Sequence, residues 1–203
     1  MQSIQTVSEN TIYVGASDRR LAKFENLFPI PRGVSYNAYV ILDEKTALLD
    51  TADASVGAQF LENVAAALDG RKLDYLIVDH MEPDHAAMIE AVLVRWPDLR
   101  LVVNAKALPM LKMYFPTDSA AIDDALVVKE GDTLDLGKHK LTFVMAPMVH
   151  WPEVMMTFDT TTGTLFSADA FGTFGALEGA LFADEVDFAG KWLDDARRYY
   201  TNI

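Results

Sequence analysis

The chain has 203 residues, a formal net charge of −13, 51% hydrophobic residues and no cysteine. That is enough chain for one domain with a substantial core, and the composition is too hydrophobic for disorder. The acidity argues against nucleic acid or a membrane surface as partner, and the lack of thiols excludes disulfides, thiolate zinc sites, iron–sulfur clusters and a cysteine nucleophile. No apolar run is long enough to cross a bilayer. Met1 to Glu9 lack the basic-then-apolar order of a secretory signal, so a cytoplasmic location is expected.

In chain order, Thr11 to Gly15 reads as a short strand, and Arg20 to Gly33 as an irregular stretch punctuated by Pro29, Pro31 and Gly33. Tyr39 to Leu42 and Thr46 to Asp50 form a predicted hairpin. Phe60, Leu61, Val64 and Leu68 recur at helical spacing across Ala54 to Leu68, with Gly70 placed to end the helix. Asp74 to Val78 reads as a buried strand, Ala86 to Trp96 as a helix stopped by Pro97, Leu101 to Asn104 as a strand and Leu108 to Tyr114 as a short helix. The second half changes character. Ala125 to Lys129, Thr133 to Leu136, Lys140 to Ala146, Val154 to Phe158 and Thr164 to Ala168 read as successive strands, and Phe188 to Asn202 as a helix. The expected architecture is a mixed α/β sheet covered by helices, in one domain over residues 1–203.

The chemistry concentrates in His80-Met81-Glu82-Pro83-Asp84-His85, between the Asp74 to Val78 strand and the following helix. Side chains at the carboxyl ends of strands in an α/β sheet project into the crevice where such folds bind ligands. Imidazole mixed with carboxylate suits iron, manganese or zinc. A solvated loop with Asp84 as a helix cap would need only one such residue. His150 and Asp169 also follow predicted strands and complete a candidate set of six metal ligands: His80, Glu82, Asp84, His85, His150 and Asp169. His139, between Lys138 and Lys140, reads as an exposed strand residue. Trp151, Phe171 and Phe174 are candidate walls of a small apolar pocket, although core packing explains each at least as well. Tyr199 and Tyr200 are candidate hydroxyl donors near a ligand, and helical packing explains them about equally well. Met148, Met155 and Met156 read as core filler.

The pattern His-x-Glu-x-Asp-His, then His150, then Asp169, resembles the diiron domain of flavodiiron proteins, the A-type flavoproteins of the metallo-β-lactamase superfamily. His150-Trp151-Pro152-Glu153, the run Ser167 to Leu177 and the run Arg197 to Ile203 carry the same likeness, which extends over essentially the whole chain. Ala47-Leu48-Leu49-Asp50-Thr51 resembles the superfamily's first motif, whose aspartate sits behind the ligands. The resemblance implies an αββα sandwich whose C-terminal part is missing here. It implies two non-haem irons, one on His80, Glu82, His150 and Asp169, the other on Asp84, His85 and the same Asp169. In the family the second iron takes a further histidine beyond the position where this sequence stops. The implied activity is reduction of dioxygen to water, of nitric oxide to nitrous oxide, or both. Electrons would come from FMN in a flavodoxin domain or from a rubredoxin-like donor, so the 203-residue chain alone is expected to be inactive. Homodimers or self-association are also expected. A non-catalytic diiron oxygen-binding or sensing module, and a metal-dependent hydrolase of the same fold, remain as alternatives. Glu82 stands where zinc hydrolases of the superfamily usually carry histidine, and its hard anionic oxygen favours iron.

Overall fold

The computed structural model describes residues 3–116 and 119–203, so the first two residues of the N-terminal stretch read for a signal lie outside it. The strands are β1 (Gln5–Ser8), β2 (Thr11–Tyr13), β3 (Ala16–Asp18), β4 (Lys23–Phe24), β5 (Phe28–Pro29), β6 (Val34–Tyr36), β7 (Tyr39–Leu42), β8 (Thr46–Leu49), β9 (Tyr75–Ile77), β10 (Arg100–Asn104), β11 (Leu126–Val128), β12 (Thr133–Asp135), β13 (Lys140–Met145), β14 (Met155–Asp159) and β15 (Thr164–Phe166). The α-helices are α1 (Gly57–Leu68), α2 (Pro83–Ala86), α3 (Ile89–Arg95), α4 (Ala107–Tyr114), α5 (Ser119–Asp123), α6 (Phe188–Lys191) and α7 (Leu193–Tyr199).

A seven-stranded sheet runs β1-β2-β7-β8-β9-β10-β11 and a four-stranded sheet runs β12-β13-β14-β15. The first sheet is antiparallel from β1 to β8 and parallel from β8 to β11. The change follows from the connections: tight turns join β1 to β2 and β7 to β8, and helical crossovers return the chain in the same direction afterwards. The second sheet is antiparallel throughout.

Alternation within the strands divides the core in two. Leu76, Leu101 and Val103 face the side packed by Phe60, Val64, Leu68 and Leu111 of the helices. Ile77 and Val102, one residue out of step, face Leu141, Phe143 and Met155 of the second sheet. The layers are therefore helices, sheet, sheet. On the outward face of the second sheet Val144 and Leu165 are exposed.

Several predicted elements need correction. The ligand run is itself partly helical: α2 starts at Pro83, which supplies a preset φ at a first-turn position where no N–H is needed. The helix expected over Ala86 to Trp96 is split, because Thr51 intercepts the groups that would join α2 to α3. Its N–H and hydroxyl both donate to the His85 carbonyl, at 2.8 and 2.6 Å, and its hydroxyl accepts from the Met88 N–H at 3.3 Å. Asp69, not only Gly70, adopts the left-handed conformation that ends α1. The C-terminal helix is broken at Trp192, whose ring lies over the Arg32 guanidinium. β1 went unread because Gln5–Ser8 has no apolar alternation. The stretch 20–33 holds a small ribbon, β4–β5, within its irregular path.

Candidate metal centre

Each candidate ligand is held at the end of a strand or on the helix that follows one. Parallel pairing of β8 with β9 sets Leu49 opposite Ile77, so Asp50 and the run beginning at Asp79 leave the sheet side by side. The Asp50 N–H then donates to Ile77 O at 2.9 Å, and the Asp79 N–H to Asp50 Oδ1 at 2.7 Å. His150 lies on the loop joining β13 to β14, and Asp169 follows β15. Asp50, Met148, Ala168 and Phe171, at or beside the ligand loops, all have positive φ. Such non-glycine conformations are uncommon and cluster at functional sites.

All six predicted ligands converge. One donor atom from each of His80, Glu82, His150 and Asp169 lies within 4.8 Å of the others, and the same holds for Asp84, His85 and Asp169. Asp169 divides its carboxylate between the two groups. Oδ2 lies 3.2 Å from His80 Nε2 and 3.4 Å from His150 Nε2, while Oδ1 lies 3.2 Å from His85 Nε2. Glu82 Oε2 stands 3.2 Å from His80 Nε2 and 2.9 Å from His150 Nε2.

The outer contacts determine which ring nitrogen points inward. His80 Nδ1 is 2.8 Å from the buried Glu153 Oε1, which also accepts the Met81 N–H. His85 Nδ1 is 2.9 Å from Asp50 Oδ2. A neutral imidazole that donates through Nδ1 has only a lone pair at Nε2. Both Nε2 atoms therefore aim lone pairs at carboxylate oxygens, which is favourable only with a cation or proton between them. Asp169 Oδ2 and Asp84 Oδ1 are buried without hydrogen-bond partners, a cost that a bound cation removes. The residues thus fit two metal ions.

The electrostatics show the same demand. Burial opposes charging of His80, but Asp169, Glu153 and Glu82 outweigh it and raise the ring to about 10. His85 is likewise raised well above its ordinary value, against burial, by Asp84, Asp169 and Asp50. Burial pushes Asp84 up to about 7. Asp169 is held far below the usual carboxylate range, despite burial, by His150, His80 and His85. Asp79, fully buried beside Asp50, is pushed well above its ordinary value by burial and by that neighbour, and accepts a hydrogen bond from Thr157 at 2.8 Å.

A cavity of about 270 Å³ opens beside Asp84 and His85, lined in part by Phe24, Tyr36, Asp169, Phe171 and Tyr199. Of the three aromatics expected around a pocket, only Phe171 lines it. Phe174 is core, packed on Phe24, Phe28 and Tyr199, and Trp151 stands edge-on to His80 at 5.3 Å. Tyr199 donates its hydroxyl to Asp169 Oδ1 at 2.6 Å, while Tyr200 is half exposed. Met155 is core as expected, but Met148 is exposed. His139 is the clearest correction: it is fully buried, with Nδ1 2.8 Å from Asp159 Oδ2. Its flanking lysines suggested a solvated residue, but strand alternation turns it inward. Glu153 and Glu25 are not among the predicted site residues, and nothing in their local sequence marks the contacts they make with His80 and Glu82.

A family model described as ODP family beta lactamase matches residues 34–198. The chain belongs to that family. Relatives include a nitric oxide reductase of Moorella thermoacetica, 38% identical over 97% of this chain and 48% of its own length. An anaerobic nitric oxide reductase flavorubredoxin of Klebsiella pneumoniae is also 38% identical, over 97% of this chain and 40% of its own. Among solved structures, the flavodiiron protein of Giardia intestinalis superposes with a TM-score of 0.92 at 28% identity, covering all of this chain and 48% of its own. The rubredoxin oxygen:oxidoreductase of Desulfovibrio gigas does so with a TM-score of 0.91 at 31% identity, covering 99% of this chain and 49% of its own. The expected kinship with flavodiiron proteins and the metallo-β-lactamase-like fold are borne out. The chain of this ODP family member spans about half the length of the curated relatives it matches.

Proposed function

We propose that this chain is a single metal-binding domain of a reductase acting on nitric oxide, dioxygen or both. Its ligands are His80, Glu82, His150 and Asp169 for one iron and Asp84, His85 and Asp169 for the other. The observation that carries the reading is the divided Asp169 carboxylate, which gives each group of ligands one oxygen. When bound, a pair of ferrous ions supplies electrons and open coordination positions for a small diatomic molecule. Three carboxylates and no thiolate favour iron over softer-site metals.

The chain's own residues set the conditions for that chemistry. Glu153 and Asp50 orient His80 and His85, and the buried carboxylates offset the charge of two cations. The cavity admits a diatomic molecule beside Asp84 and His85. Conversion of two nitric oxide molecules to nitrous oxide and water consumes two electrons and two protons, and dioxygen reduction to water consumes four of each. Glu25, in contact with Glu82, is raised by that contact and by burial to about 7, so its carboxyl is about half protonated at neutral pH. We assign the electron supply to FMN in a flavodoxin domain or to a rubredoxin-like donor, and the setting to the cytoplasm. Among the described residues no helix is long and apolar enough to cross a membrane. Pairing with another copy would cover the exposed outer sheet face around Val144 and Leu165.

The test is anaerobic reconstitution with ferrous iron, followed by addition of nitric oxide or dioxygen with a flavodoxin-type donor. The reading requires about two irons per chain and donor-dependent substrate loss. Zinc retained in preference to iron, together with ester or lactam hydrolysis, would overturn it.

A further inference from the structure

Tyr199 ends α7, is buried, and takes no part in the ligand sets described above. Its hydroxyl donates to Oδ1 of Asp169 at 2.6 Å. That is the oxygen facing His85, whereas Oδ2, facing His80 and His150, has no hydrogen-bond partner. A carboxylate oxygen has two lone-pair directions. One hydrogen bond on Oδ1 therefore leaves room for a cation and prevents the carboxylate from turning about its Cβ–Cγ bond.

The phenol is itself firmly placed. Its ring meets Phe174 edge-on at 5.2 Å, and Phe174 packs on Phe24 and Phe28. Gly172, three residues after Asp169, leaves space for the ring: a Cβ there would lie 2.7 Å from Tyr199 Cε1. Arg198, the preceding residue on α7, donates to the Pro29 carbonyl and so ties the helix to the ribbon that carries Phe24 and Phe28. The loop after β15 and the C-terminal helix are thus fitted to each other at this hydroxyl.

We infer that Tyr199 is a positioning residue: by holding Asp169 Oδ1 toward Asp84 and His85 it makes one carboxylate serve two metals, and the second metal site depends on it. This rests on the metal-centre reading above. The hydroxyl bonds the Asp169 oxygen that faces the group of Asp84 and His85, so rotation of the carboxylate is more damaging there than in the group of His80, Glu82 and His150. Outer partners of this kind are worth about 10- to 100-fold in metal affinity.

The experiment titrates the 203-residue chain with cobalt(II) alone, following visible absorption and competition with a chelator. Wild type, Tyr199→Phe and Gly172→Ala are compared, and thermal unfolding of each metal-free chain is recorded. Tyr199→Phe keeps the ring packing and removes only the hydroxyl; Gly172→Ala keeps the hydroxyl and displaces the ring. The expected result for both variants is a second equivalent bound about 10- to 100-fold more weakly, with the first changed by less than about threefold. Equal affinities in wild type and Tyr199→Phe would overturn the inference while leaving the metal centre intact. So would parallel weakening of both equivalents, which marks loss of packing, or an effect confined to Gly172→Ala. A phenolate-to-metal charge-transfer band in the ferric chain, lost in Tyr199→Phe, would make the tyrosine a ligand and refute a positioning role. Wild type that binds no cobalt would remove the metal centre and the inference with it.

Discussion

Asp169 is the residue that the two groups of the candidate site share. Its oxygens face different imidazoles, and it is kept ionised by three of them. Asp169→Asn removes the shared charge, so both metals should be lost; Asp84→Asn should cost only one of about two per chain. Native mass spectrometry after reconstitution distinguishes the cases, and equal loss in the two variants would contradict a shared ligand. The histidines give a pH signature. Burial opposes the charge on His80, yet Asp169, Glu153 and Glu82 hold the ring protonated up to about 10. Because this folded value lies above the ordinary one of about 6.5, the stabilisation it provides to the metal-free chain is complete below about pH 6.5 and disappears as pH rises through about 10. Metal requires the neutral ring. Uptake at pH 7 should therefore release protons, and affinity should rise with pH across that window. Calorimetry in two buffers of different protonation enthalpy measures the release; a heat independent of buffer would contradict it.

At the scale of elements, the ligand run succeeds because it is neither loop nor full helix. α2 is one turn long and α3 begins three residues after it ends. Thr51, from the adjoining strand end, makes the break by bonding to His85 O and the Met88 N–H. Thr51→Val keeps the shape and the backbone N–H but removes the hydroxyl. It should cost about 1–3 kcal/mol of stability, as expected for a buried group left without its partner, and should weaken binding to the Asp84/His85 group before the other. Urea denaturation and a cobalt titration on the same variant check both parts; unchanged stability would show that the backbone bond alone separates the helices. The second sheet works differently. Phe143 and Met155 face Ile77 and Val102 across the inter-sheet core, and the chain between β13 and β14 carries His150 from that sheet to the ligands of the first.

For the whole molecule, the two sheets must close on each other before a metal site exists, since His150 and Asp169 come from one sheet and the other four ligands from the other. Metal binding should therefore raise thermal stability, and a chelator should lower it. Two ferrous ions store only about two electrons. Consumption of nitric oxide beyond the first round should depend on an added flavodoxin-type donor. An electrode trace of nitric oxide with and without the donor reads this, and sustained loss without one would show that the chain carries its own electron path.

The sequence by itself determined most of the longer helices and strands through apolar periodicity, but not the short strand β1, the ribbon β4–β5 or the breaks in the helices. It also singled out the six candidate ligands that the fold brings together, because imidazoles and carboxylates at strand ends have few structural uses. The second half read as a run of successive strands, and the two-sheet sandwich was expected only from the family resemblance. What the tertiary structure alone decided were long-range contacts. Nothing local marks Thr51 as the residue that splits a helix 34 residues away, or Glu153 as the partner of His80. His139 illustrates the limit: its neighbours in sequence are lysines, but its neighbour in space is Asp159, and burial made that pairing possible. Likewise the sequence left Tyr199 and Tyr200 equally open as hydroxyl donors or packing residues, and only the fold brought the Tyr199 hydroxyl to Asp169. Local sequence sets which faces a segment can bury, whereas hydrogen-bond partners are chosen only when distant segments meet.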